Sequence, residues 1–159
     1  MESLSDEVVG DLVYKYGWCR SETITFFGEE RPIKISFASD GNRPLQPLQR
    51  EAFKRFSRAS GRLLNEAETA IHCYYSSMRP QLLLQFTEDV ASEILPAIEK
   101  MEELRKLVTV EEIHFPESFD GQTRVVGILA ACQWDPTLGL AVRLENERIV
   151  DVGPQDIVL

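Results

Sequence analysis

At 159 residues, 43% hydrophobic and 27% charged, the chain has the make-up of a folded domain able to bury a sizeable core, which excludes extended disorder. Its net charge of −9, from 17 basic and 26 acidic residues, argues against a nucleic-acid partner, since phosphate neutralisation needs Lys and Arg. The apolar run that stops at Gln133 is too short to span a bilayer, and the acidic start Met1–Asp11 has neither the basic region nor the apolar core of a secretory signal. A cytoplasmic location without a membrane partner is expected.

Three blocks follow in order. Residues 12–38 read as strands. Tyr14, Tyr16 and Trp18 alternate with Lys15 and Gly17, as in one half-buried strand. Thr23–Gly28 and Ile33–Phe37 flank a loop that begins at Gly28, a hairpin pattern with Ile33, Ile35 and Phe37 on one face and Lys34 and Ser36 on the other. Ser39–Pro44 leads out of the sheet.

Residues 47–107 read as helices. Pro47 suits a first helical turn, and Leu48, Ala52, Phe53 and Phe56 recur at helical spacing. Gly61 kinks or divides the helix, beyond which Leu63, Ala67, Ala70, Ile71, Tyr74 and Met78 continue the stripe to an end at Pro80. Thr87 is placed to cap a weaker helix ahead of Glu88 and Asp89. Pro96 interrupts it before a short helix over 97–107.

Residues 111–158 return to strands. Glu111–Phe115 and Arg124–Cys132 are two, the second almost continuously apolar. After a Trp134–Gly139 connection, Leu140, Val142 and Leu144 alternate with Ala141, Arg143 and Glu145, and Ile149–Val152 pairs back across a Glu145–Glu147 turn. The expected fold is α+β, a single domain over residues 1–159. Its antiparallel sheet is built from the N-terminal and C-terminal strands and packs against a central helical block.

Nothing in the chain has the form of a catalytic or cofactor signature. Cys19, Cys73 and Cys132 are odd in number and widely spaced among apolar neighbours, as buried reduced thiols would be. His72 and Cys73 are adjacent, so on a helix they point about 100° apart and do not face one another. Both read as packing residues. No metal-ligand spacing is present; Asp135, Asp151 and Asp156 would make at most a weak cation site, and Asp135 before Pro136 is more simply a turn residue. Glu66 and Glu68 fall on different helix faces, and Glu99, Glu102 and Glu103 line one helix side, a solvated face in the ordinary reading.

Arg50, Lys54, Arg58 and Arg62, with Arg55 nearby, form a drifting ridge that could bind a phosphate or an acidic partner; a solvated face balanced by the protein's own acids is the favoured reading. Among the aromatics Tyr14, Tyr16, Trp18, Tyr74 and Tyr75, Trp18 and Tyr74 are assigned to core and Tyr75 to an exposed partner-binding position.

Several of these stretches together resemble a bacterial domain family of uncharacterised function met in toxin–immunity neighbourhoods. They are Tyr16–Trp18, Thr23–Gly28, the helix from Pro47 to Phe56, Ala70–Tyr75 and, most specifically, Trp134-Asp135-Pro136, Gly139, Glu145-Asn146 and Gly153 with Gln155-Asp156. Pro154 departs from the bulkier residue expected there. The resemblance implies a small cytoplasmic protein that protects its cell by binding a cognate toxin; the lack of catalytic, cofactor and metal motifs makes non-catalytic binding the expectation, and the acidic balance suits a basic protein toxin. An acidic face including Glu145, Glu147 and Asp151 of the last hairpin is the expected contact. Two alternatives remain open: a housekeeping or scaffolding protein that forms homo-oligomers, and a hydrolase using His72 or Cys73.

Overall fold

The computed structural model describes residues 2–159 and has eight strands in one sheet, ordered as they occur in the chain. These are β1 (Ser3–Asp6), β2 (Gly10–Tyr14), β3 (Trp18–Phe26), β4 (Glu29–Phe37), β5 (Val108–Phe115), β6 (Val125–Cys132), β7 (Leu140–Glu145) and β8 (Arg148–Gly153). Between β4 and β5 lie α1 (Pro47–Arg58), α2 (Ser60–Leu83), α3 (Glu88–Ile94) and a 3-10 turn, Met101–Lys106. The expected α+β architecture is the one found, including the C-terminal meander and the division of the long helix just before Gly61.

Neighbouring strands run antiparallel at every joint but one. β4 and β5 pair in parallel, Lys34 beside Glu112 and Phe37 beside Phe115, because a helical crossover rather than a turn connects them. This is the seam between the two strand blocks. On its helix-facing side Phe37 and Phe115 stack with ring centroids 4.9 Å apart, and Phe53 of α1 closes on both at 5.9 and 5.7 Å. Burying rings of this size stabilises by about 1.5–3 kcal/mol each. At the end of the seam the buried Gln49 side chain donates to the carbonyls of Ala38 and Phe115, at 2.8 and 3.0 Å, while its Oε1 accepts the Gln46 N–H. One amide thus ties the start of α1 to both strands.

Several local expectations are corrected. Tyr14 to Trp18 is not one strand: the chain turns through Lys15–Gly17, with Tyr16 at φ 57° and Gly17 at φ 137°. A side chain at Gly17 would also stand 2.9 Å from the Phe37 carbonyl, so the alternation there marks a hairpin end. The next hairpin is tighter than expected, turning on Phe27 and Gly28 alone, both at positive φ. α2 continues through Pro80 to Leu83, and the helix expected over 97–107 is reduced to the 3-10 turn. β1 was not anticipated. No helix among the described residues is long and apolar enough to cross a membrane.

On the face away from the helices, Leu129, Ala141 and Val158 form a small separate cluster, with the chain after β8 folded back over β6 and β7. Arg143 Nη1 holds the Ile157 carbonyl at 3.0 Å and the Gln155 amide the Ala130 carbonyl at 3.0 Å. Gly127 makes the seat: a Cβ there would lie 2.2 Å from Val158 Cγ1.

Two outcomes follow from these contacts. Gln49→Ala, which strands the Ala38 carbonyl and leaves the Phe115 carbonyl with the Ala38 N–H alone, is expected to lower unfolding stability by about 1–3 kcal/mol in urea titration. Gly127→Ala is expected to release residues 154–159 from the sheet, read as faster amide exchange at Val158. Adding Val158→Ala is expected to restore much of the protection.

Candidate functional site

The residues singled out by sequence fare differently. Tyr75 is buried, not exposed: it packs against Trp134 with centroids 5.2 Å apart and donates its hydroxyl hydrogen to the Pro96 carbonyl. Tyr74, assigned to the core, is half-buried. The two are 100° apart on α2, and the helix is rotated so that Tyr75 faces inward. Trp18 is core as expected, and the aromatic that stands fully exposed is Tyr16 at the hairpin tip.

Of the last hairpin's acids, Glu147 is not available to a partner. Arg124 grips it with Nε and Nη2 at 2.8 and 2.9 Å, a forked pair. Glu145 lies 3.9 Å from Arg143, and Asp151 is exposed. The basic ridge is partly neutralised from within. Arg50 bonds the buried Asp6 at 2.7 Å, Arg55 bonds Glu51 at 2.8 Å and Arg62 bonds Glu66 at 3.0 Å. Cys19 and Cys132 are buried, and burial pushes the Cys132 thiol up to about 11; Cys73, expected buried, is exposed. Asp135 is a turn residue as read, accepting the Leu138 N–H at 3.0 Å. No group of three or more His, Cys, Asp or Glu among the described residues is arranged to hold a metal ion.

Two arrangements escape the sequence reading. On the outer side of the seam, Ser36 donates to Glu112 Oε2 at 2.5 Å and accepts from His114 Nδ1 at 2.7 Å, while Lys34 Nζ stands 3.0 Å from Glu112 Oε1. The residue types suggest a hydrolytic triad, but the geometry does not. In a relay the hydroxyl and the carboxylate occupy opposite ring nitrogens, whereas here both converge on Nδ1. The cluster instead fixes the parallel register, since each member belongs to a Lys34–Glu112 or Ser36–His114 pair. Burial would push the Glu112 carboxyl up; hydrogen bonds from His114, Ser36 and Lys34 outweigh it and hold the group at about 2.

The second arrangement is a groove of about 590 Å³ beneath the α1–α2 junction. Helix α1 ends at Ala59, whose N–H is shared between the carbonyls of Arg55 and Phe56, and α2 departs at once. The gap exposes part of the sheet's helix-facing side. Ile35, Phe53, Phe56 and Phe115 supply apolar walls; Glu22 of β3, Glu68 of α2 and Glu102 of the 3-10 turn supply charge. No Lys, Arg or His lines it. Arg20 approaches Glu22 at 3.7 Å and lies over the Phe53 ring at 5.5 Å.

Glu68 is the unusual member. It sits within the apolar stripe of α2, between Leu64 and Ile71, and only 9% of it is exposed. Burial pushes its carboxyl up and the nearby Glu102 adds to this, while the Phe27 N–H, donating to Oε1, partly offsets both. That bond anchors a buried Phe held in a left-handed turn. The sequence carried a signal, an acid at an inward helical position, but only the crossing of β3 with α2 joins it to Phe27, 41 residues away.

A family model described as a domain of unknown function (DUF6985) matches residues 8–159. No curated protein and no solved structure gives a significant match.

The seam cluster predicts how stability depends on acid. Glu112 is held below its ordinary 4.5, so its contribution, on the order of 2–3 kcal/mol, is full above about pH 4.5 and is lost as pH falls toward 2. Thermal melts of the native chain and Glu112→Gln should differ at neutral pH and converge over that window.

Proposed function

Because the chain belongs to the DUF6985 family, which carries no assigned activity, we propose from its surface chemistry that it is a non-catalytic binding domain for a basic protein. The observation that carries this reading is the groove at the α1–α2 junction, where Glu22, Glu68 and Glu102 face an apolar pocket that no basic side chain lines. An interface needs an apolar centre and a charge of definite sign, and this concavity has both. A net charge of −9 adds long-range attraction toward a cationic partner.

The partner we favour is a cognate toxin, with this chain as the immunity-type protein of a bacterial cytoplasm. The neighbourhood of the resembling family and the sign of the charge both support it. Glu145 and Asp151 add to the field, and the groove replaces the last hairpin as the principal contact. Self-association is the second reading, favoured by one feature: β8 is a free sheet edge that exposes Val150.

Co-expression with the products of adjacent genes tests the proposal. A toxic neighbour should be neutralised and should co-purify. Replacing Glu22 and Glu102 together by Lys should slow association about tenfold at low salt without unfolding the domain. If no neighbour is toxic or co-purifies, or if the double reversal leaves association unchanged, the proposal fails. A stable homodimer in light scattering, lost on Val150→Lys, would favour self-association instead.

A further inference from the structure

The groove has a more specific chemistry than a generally acidic surface, and it rests on the binding role just described. We propose that it is a receptor for one cationic side chain of the partner, a lysine or arginine whose aliphatic stem lies on Phe56 and whose charged head meets Glu68.

Three observations point to this occupant. First, the charged and apolar parts are arranged as a long basic side chain is built, with carboxylates beside aromatic and aliphatic walls. Second, Glu68 is half committed: Oε1 accepts the Phe27 N–H, while Oε2 has no hydrogen-bond partner among the described residues and is not closed off from the groove. Third, no basic residue of the chain's own lines the pocket: the neighbouring Arg20 reaches Glu22, and Glu68 has no basic partner among the described residues, although acids elsewhere in the chain are answered by one, as Asp6 is by Arg50 and Glu147 by Arg124. Among the buried acids, Asp6 is given a cation and Glu68 is not.

A structural role for Glu68 predicts something different. If the carboxylate existed only to hold the Phe27 turn, an amide would still accept that bond, because Gln keeps the acceptor oxygen. Gln would also relieve the burial of a charge. The Glu68→Gln variant therefore separates anchoring from recognition.

The experiment titrates the purified full chain with n-butylammonium and n-butylguanidinium chloride, followed by amide shifts in two-dimensional NMR, with sodium chloride as the ionic-strength control. Shifts confined to Phe27, Phe56 and the start of α2, saturating in the millimolar range, are expected for one probe or both. In Glu68→Gln the affinity should fall at least tenfold, while the melting temperature stays the same or rises. The inference is overturned if neither probe shifts these amides beyond the salt control, or if Glu68→Gln binds as the native chain does. A lowered melting temperature with unchanged probe binding likewise assigns Glu68 to the turn alone. These outcomes are independent of the broader reading: co-purification of a partner with no probe binding removes only the cation receptor, and probe binding with no partner removes only the toxin assignment.

Discussion

The parallel pairing of β4 with β5 is the joint on which the rest of the molecule depends. Each strand block is a run of hairpins, whose pairings are local in sequence. Only at the seam must strands meet that are separated by the entire helical segment, and only there does the sheet become one body. Closing so long a loop carries an entropic cost that local hairpins do not. The two sides of the seam answer it in different ways. Stacked phenylalanines supply apolar burial on the inside, a hydrogen-bonded Lys–Glu–Ser–His cluster sets the register on the outside, and Gln49 brings in α1 at the end.

How much of this was legible depends on the range of the forces involved. The C-terminal meander could be read because its turns and its two-residue alternation are local properties, and β6, β7 and β8 lie close to where the pattern put them. The helix division near Gly61 was readable for the same reason. Pro80 does not end α2, because the packing of Leu82 and Leu83 beyond it on the core offsets a proline penalty of about 3 kcal/mol. Tyr75 turns fully inward and Tyr74 only packs against the edge of the core, because neighbouring residues differ only by the rotation of the helix on the sheet, which many distant side chains decide jointly. Parallel pairing left no mark in either strand. The groove was illegible in the strict sense, since its walls come from both strand blocks and three helical segments.

A second theme is how the excess of acid is disposed. Asp6, Glu112 and Glu147 are each held by basic or hydroxyl groups of the same chain, so they serve cohesion. Asp120 is held below its ordinary range by N–H and hydroxyl groups of its own loop, chiefly those of Thr123. Counting charges therefore overstates what is left for an outside partner. What distinguishes Glu68 is the opposite environment, where burial works against its charge and a single backbone donor offers partial relief. Groups in such positions are where binding tends to be arranged at some expense of the fold.

The order of the strands also determines how the domain would respond to mechanical load. Since β1 and β8 are the two outer strands, tension applied through the flanks of the domain would act first on β1 at one side and, at the other, on the segment after β8 that is held against β6 and β7, and then on β8. Antiparallel edge strands pulled this way open one bond at a time, like a zipper, and the peeling would proceed inward from both sides. The parallel seam would be reached last. Any larger assembly that strings this domain between neighbours would thus feel a soft, stepwise extension before the central joint bears force.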